Sequence, residues 1–285
     1  MLHFWVALPL SLLKLTNANV DIPTQAIAAG VNMPVASIGV GGRESKEANS
    51  IVQNWLHLGG RGIDAAYVYR NQKDVAQAIA DTGVARKSLF ITSKIPSCFW
   101  VKYFVEANLR QLGTDYIDLL LLHSPRIGNC TNAWLILEDY HAKGVLKAIG
   151  VSNFKKSDLQ PLLQKATVAP AVNQIELNVL EHDDDIINFS VAHNITIEAY
   201  SPLGRAGSSG DIPGNKVIQR IAAQHNVTAY QVALKWILQH GHILTFQSTS
   251  QAHQQQDADL FGFNLSYADM AALDDARALV TKFFV

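Results

Sequence analysis

Short runs of branched apolar residues alternate along this chain with stretches whose apolar positions recur every three or four residues. That pattern is expected where buried strands take turns with the helices that cover them. Ala36–Gly41 reads as a strand, and 45–58 then reads as an amphipathic helix. Ala48, Ile51, Val52, Trp55 and Leu56 follow the i, i+3, i+4, i+7 rule, and Gly59-Gly60 stops the helix. Further strands are predicted at 62–66, 88–95, 116–123, 146–152, 170–177, 195–201 and 242–248. Helical patterns lie between them near 71–81, 100–112, 132–143, 155–165, 182–193 and 228–240. Eight strands separated by helices predict an α/β protein, a closed (β/α)8 TIM barrel forming a single domain over 19–285. A doubly wound open sheet is the alternative. It would need a Gly-X-Gly-X-X-Gly turn after a strand, and Gly39-Val40-Gly41-Gly42 lacks the third glycine.

Several of these strands end on a polar residue of a different chemical kind: Asp64, Lys94, His123, Ser152-Asn153 and Gln174. An apolar strand can expose an ionisable group only where it leaves the core. In a parallel barrel those ends share one face, where the ligand site lies. Asp64, Tyr69, Lys94 and His123 form a chemically coherent set. A phenol of ordinary pKa, about 10, is a weak proton donor near neutrality. A nearby ammonium lowers that pKa, and a carboxylate holds the ammonium in place. An imidazole beside the phenol can orient a carbonyl oxygen between two donors. The group suits proton delivery to an oxygen that becomes negative as hydride attacks its carbon. Taken singly, each has an ordinary structural reading: a capping Asp, a surface Lys, a core His.

The bulk composition narrows the classes. The chain has 285 residues, 48% hydrophobic and 16% charged, with a formal net charge of −1. One barrel of about 250 residues would use nearly all of it. Near-neutral charge without a basic run gives no footprint for nucleic acid. Phe4–Leu13 is an apolar run followed by Lys14 and Thr16-Asn17-Ala18, so residues 1–18 resemble a secretory signal peptide, although the first residues carry no Lys or Arg. The run is shorter than the roughly 20 residues that span a bilayer. Asn-X-Ser/Thr sequons stand at Asn129, Asn188, Asn194, Asn226 and Asn264. A glycoprotein of the secretory pathway, in the ER lumen or secreted, is the expectation; a cytoplasmic protein is the alternative. Cys98 and Cys130 follow strands three and four, whose loops are neighbours on a barrel rim. They would form a disulfide in an oxidising compartment and stay two free thiols otherwise.

The chain resembles the aldo-keto reductase family over nearly its whole length after the leader. The resemblance rests on Asp64-Ala65-Ala66-Tyr67-Val68-Tyr69-Arg70-Asn71-Gln72, Thr92-Ser93-Lys94, Gly113–Leu119 with His123-Ser124-Pro125, and Lys143–Phe154. It implies a reductase of aldehydes or ketones that uses NADP(H) or NAD(H) without a dinucleotide fold of the doubly wound kind, and without metal. Tyr69 would be the general acid, Lys94 its partner, Asp64 the partner of Lys94, and His123 the carbonyl-orienting residue. Ser152, Asn153 and Gln174 would bind the nicotinamide carboxamide, and Tyr200 would stack on the ring. Ser201 and Leu203 would fold over the pyrophosphate. The partner implied is a small-molecule carbonyl substrate, and the protein is expected to be a monomer.

The adenosine end departs from the family pattern. Gln247, Ser248, His253 and Asp257 occupy positions where Lys, Ser, Arg and Asn usually stand, so two cations that would grip a 2′-phosphate are replaced. Charge-assisted hydrogen bonds are roughly twice as strong as neutral ones, so NADP specificity is not simply inherited. A non-catalytic barrel that binds nicotinamide cofactor as a sensor or subunit partner is the competing reading.

Overall fold

The computed structural model describes residues 20–204 and 211–281. A hairpin of β1 (Thr24–Ala28) and β2 (Val31–Pro34) comes first. The barrel strands follow as β3 (Ala36–Gly39), β4 (Gly62–Asp64), β5 (Phe90–Ile95), β6 (Ile117–Leu122), β7 (Leu146–Ser152), β8 (Val172–Glu176), β9 (Thr196–Tyr200) and β10 (Ile243–Phe246). These eight pair in parallel in chain order, and β10 closes the barrel on β3 through Leu244–Ala36, Thr245–Ser37 and Phe246–Ile38. The surrounding helices are α1 (Ser45–His57), α2 (Gln72–Thr82), α3 (Val101–Leu112), α4 (Cys130–Ala142), α5 (Lys156–Leu163), α6 (Asp184–Ala192), α7 (Lys216–His225), α8 (Ala229–Gln239), α9 (Gln251–Ala258) and α10 (Tyr267–Thr281). The fold is a single-domain (β/α)8 barrel, as the alternating pattern predicts. The expected signal segment, 1–18, lies outside the described residues. Among the described residues no helix is long and apolar enough to cross a membrane.

Strand periodicity decides which side chains enter the barrel. Successive side chains on a strand face opposite sides. In the leucine run of β6, Leu120 and Leu122 join the shell of helices with Trp134 and Leu137, whereas Leu119 and Leu121 face a second cluster inside the barrel. That inner cluster also holds Phe90, Ala148, Val172 and Ile243, with Ile27 and Met33 from the hairpin. The hairpin therefore seals the amino-terminal end of the barrel. Its two-residue turn, Ala29-Gly30, uses a glycine at φ 73°, a backbone region that glycine enters without strain.

Strand and helix boundaries differ from the pattern-based ones by at most two residues, and β4 is the shortest strand. It stops at Asp64 because Ala65 and Ala66 lead into a 3-10 turn at Tyr67–Tyr69. The hairpin, α7, α9 and α10 are additions. β1 buries only Ile27, so no alternation marks it. α7 does carry a readable stripe, Ile218, Ile221 and Ala222. α10 begins at a reciprocal pair in which Ser266 Oγ accepts from Asp269 N and Asp269 Oδ2 accepts from Ser266 N, a start signal of the capping-box kind. α9 is almost wholly polar and has no apolar period to find.

Met33 is fully buried at the barrel floor. Met33→Ala should lower the free energy of unfolding by about 2–5 kcal/mol, through lost transfer energy and the cavity left behind. Urea denaturation would measure it; a loss under about 1 kcal/mol would mean that the hairpin does not seal the floor.

Candidate active site

The inward-facing positions change character along the barrel axis, from apolar at the hairpin end to polar at the carboxyl ends of the strands. Asp64 ends β4, and its register partner Thr92 stands two residues before Lys94 on β5. Lys94 is fully buried. Its Nζ is ion-paired with Asp64 Oδ1 and donates to Ala65 O at 3.0 Å and to the Tyr69 hydroxyl at 3.4 Å. Tyr69 is carried by the 3-10 turn after β4, and Asn71 fixes that turn by donating to Val40 O (2.8 Å) and Arg43 O (3.1 Å). A Cβ on Gly41 would lie 3.1 Å from the Tyr69 ring, so the bare backbone there lets the phenol lie close. His123 directly follows β6, its ring centroid 5.8 Å from that of Tyr69 and nearly perpendicular to it. The structure thus brings all four members of the sequence-derived set together.

Their electrostatics correct one expectation. Burial pushes the Tyr69 pKa up, and the pull of Lys94 only partly offsets it, so the phenol is a weaker acid than usual rather than a stronger one. Burial alone would lower the pKa of Lys94, but Asp64, with help from Tyr69 and Glu198, outweighs it and holds the ammonium charged. For His123, burial and then the Lys94 charge lower the pKa to about 3, leaving a neutral imidazole at physiological pH.

Beside this group lies a hydrogen-bonded wall. Ser152 Oγ donates to Gln174 O (2.9 Å), and Asn153 Nδ2 donates to His123 O and Ser152 Oγ, each at 3.0 Å. The Tyr200 hydroxyl donates to Asn153 Oδ1 at 2.8 Å. Gln174 Nε2 donates to Asp64 Oδ2 (3.1 Å) and to Glu198 Oε2 (2.8 Å). Asn153 (φ 59°) and Ser201 (φ 50°), just after β7 and β9, adopt left-handed backbone. Strain of that kind clusters at functional sites. Glu198, fully buried on β9, is a member that the sequence reading missed. Its signal was available: an acid inside an otherwise apolar strand.

A cleft of about 860 Å³ opens over these groups, within the range of small-ligand sites. Asp64, Tyr69, His123, Ser152, Asn153, Gln174, Tyr200, Ser201, Leu203 and Gln247 line it. Ser248, His253 and Asp257 are not among its lining. Ser248 Oγ donates to Ser250 O, and Ser250 caps α9 by accepting from His253 N. Asp257 shares the buried face of α9 with Gln254 and Ala258, and Gln254 donates to Ile51 O of α1. Burial raises the pKa of Asp257 to about 6, with His253 pulling it back slightly. The cleft instead gains Arg43, unanticipated from sequence. Arg43 Nη2 donates to Gln247 Oε1 (2.8 Å), and Gln247 Nε2 donates to Gly41 O (2.6 Å), which joins the first and last strand ends of the barrel.

Cys98 and Cys130 are disulfide-bonded, joining the loops after β5 and β6. Cys98 N also donates to Ile127 O at 3.0 Å, and a Cβ on Gly128 would lie 2.7 Å from Cys98 O, so the two loops pack backbone to backbone. Trp100 (69% exposed) and Ile127 (75%) project from these loops.

Comparison with known proteins agrees with this geometry. The profile described as the aldo/keto reductase family matches residues 36–278. The chain is 36% identical over 254 residues to a glyoxal reductase of Bacillus subtilis, covering 86% of this chain and 89% of that one. It is 34% identical over 250 residues to a 9,11-endoperoxide prostaglandin H2 reductase of Trypanosoma cruzi, covering 86% and 88%. Among solved structures, an aldo/keto reductase of Brucella melitensis superposes with a TM-score of 0.85 at 32% identity, covering 90% of this chain and 98% of that one. A Bombyx mori aldo-keto reductase in complex with NADP gives 0.83 at 26% identity, covering 90% and 93%. The chain belongs to the aldo/keto reductase family.

The His123 ring should stay neutral throughout pH 5–8. Imidazole carbon-proton NMR shifts would test this: no titration in that range is expected, and a midpoint near 6.5 would contradict the buried, Lys94-facing environment.

Proposed function

We propose that this protein is an oxidoreductase that reduces aldehydes or ketones to alcohols with NADPH or NADH as hydride donor. The observation that carries the proposal is the hydrogen-bonded chain Asp64–Lys94–Tyr69, with His123 beside it, at the floor of a cleft large enough for a ligand. The names of the relatives support the reaction class, since two are reductases of oxygenated small molecules and one solved structure holds NADP. The wall residues suit a carboxamide-bearing ring. With both amide protons of Gln174 turned onto acids, its Oε1 is left as an acceptor, and Ser152 and Asn153 stand next to it. When bound, the dinucleotide supplies the hydride.

The chain's own residues do the rest. Tyr69 delivers its proton to the carbonyl oxygen as negative charge develops there. Lys94 stabilises the phenolate that remains, and Asp64 keeps Lys94 aimed. Neutral His123 orients the carbonyl from the other side. Tyr200, tied to Asn153, presents its ring along the cleft wall. Ser201 and Leu203, which line the cleft, would cover the pyrophosphate. The complete set of four favours catalysis over a purely cofactor-sensing barrel.

At the adenosine end, Arg43 is the cation that lines the cleft among the described residues, and Gln247 holds it. Preference for NADPH over NADH should therefore be small, and Arg43→Gln should weaken NADPH binding about tenfold, the effect of losing a charge-assisted hydrogen bond. Dissociation constants for both coenzymes would decide; a native preference of several hundredfold that Arg43→Gln leaves intact would overturn this.

Tyr69→Phe should reduce kcat by about a hundredfold or more while coenzyme affinity stays within about twofold, because only the proton donor is removed. Full turnover in that variant would remove Tyr69 from the acid role.

We further infer maturation in the secretory pathway. The only two cysteines are paired, and the five sequon asparagines are all exposed. Intact mass after alkylation without reduction should show no label, and endoglycosidase treatment should lower the mass of protein from its native host. Two labelled thiols and an unchanged mass would favour the cytoplasm.

A further inference from the structure

Glu198 is an acid that the proposed reaction does not use, yet it is fully buried two hydrogen bonds, through Gln174, from the group of four. It stands on β9 level with Gln174 of β8 and Ile243 of β10. Its Oε2 accepts from Gln174 Nε2, and its Oε1 is buried with no partner among the described residues. Gln174 spends its other amide proton on Asp64 Oδ2. Two acid groups behind the amide thus fix which way it points, nitrogen inward and oxygen to the cleft.

The groups that face Glu198 define its charge state. Asp64 of β4 repels an anion there, Lys94 of β5 attracts one but is already paired with Asp64, Gln174 is neutral, and Ile243 is apolar. Burial and then Asp64 raise the Glu198 pKa to about 8, against the pull of Gln174 and Lys94. Protonated Glu198 leaves the Lys94–Asp64 pair electrically balanced. Ionised Glu198 adds one uncompensated negative charge behind the cleft wall.

A nicotinamide ring is neutral when reduced and carries one positive charge when oxidised. Building on the coenzyme reading proposed above, we infer that Glu198 is a positioning residue that senses this charge through Gln174. It releases its proton to solvent when an oxidised ring lies against Gln174, and takes a proton back when the ring is reduced. A cation favours ionisation of a nearby acid. By reciprocity, ionised Glu198 favours oxidised coenzyme by the same factor. At roughly 8 Å and an effective dielectric near 20, the shift is about 1.5 pKa units, or about thirtyfold in affinity. Below pH 8 the free protein holds the neutral acid, so oxidised coenzyme must expel a proton to bind and is held less tightly, which favours repeated reduction; above it, the anion favours alcohol oxidation.

The test is isothermal titration calorimetry of the full chain with oxidised and with reduced NADP. Runs at pH 7.5 in two buffers of different protonation enthalpy count the protons released. About two-thirds of a proton should leave on binding the oxidised form and close to none on binding the reduced form, given a shift of about 1.5 units. The dissociation constant for the oxidised form should fall about eightfold between pH 7 and 9.5, and Glu198→Gln should abolish both effects. His123 and Asp257 titrate below this window and Tyr69 above it, so the native proton count is decisive even where the variant folds poorly. Oxidised coenzyme binding without proton release, or release that persists in Glu198→Gln, would overturn the inference alone. Failure of both forms to bind would overturn the coenzyme reading and this inference with it.

Discussion

The buried ion pair between Lys94 and Asp64 is the interaction on which the rest of this structure depends. An ammonium with no exposed surface is tolerable only if a counter-charge and further acceptors surround it, since the effective penalty for burying each ion is several kcal/mol. Asp64 and Ala65 O meet that demand from the neighbouring strand, and the Tyr69 hydroxyl is the contact that remains. The pair and its burial shape the groups around it. Burial keeps His123 neutral with help from the Lys94 charge, Gln174 donates to Asp64, and burial together with Asp64 raises the Glu198 pKa. The apolar half of the barrel, sealed by Met33 and Ile27, can stay hydrophobic because the charges are confined to the other end.

The loops at the carboxyl ends of the strands are held more firmly than their exposure suggests. A disulfide, a backbone hydrogen bond and the close approach of Gly128 join the loops after β5 and β6. On the other side, Asn71 and the Arg43–Gln247 contact tie the loop after β3 to the turn bearing Tyr69 and to the end of β10. A site of this kind is pre-organised: the phenol, the ammonium and the wall residues are held in place by the protein's own contacts.

How much of this was legible in the sequence depended on whether a feature is local. The leucine run before His123 and the Gly-Ile-Asp strand before Tyr69 have a period and an end, and both can be read without a structure. The same holds for Ser152-Asn153 and Gln174 at neighbouring strand ends. Arg43 and Gln247 are 204 residues apart, and no local pattern announces their contact. Register in the sequence places Asp257 at the adenosine end, whereas the structure buries it on α9 outside the cleft lining. The Tyr69 pKa went the other way from expectation because proximity to Lys94 is visible in a motif and desolvation is not. Glu198 was overlooked for a related reason. An acid inside an apolar strand is visible in the sequence, but its role follows only once its partner across the sheet, Gln174, is known.

The central claim is that these strand ends form a centre for hydride reduction of a carbonyl. Its most direct test is isotope transfer under single-turnover conditions, using reduced NADP dideuterated at nicotinamide C4 with a small aldehyde such as glyoxal. The account predicts one deuterium on the carbinol carbon of the product alcohol, with stoichiometric oxidation of the coenzyme. Coenzyme that binds in the cleft while no deuterium reaches any of a broad set of aldehydes and ketones would contradict it.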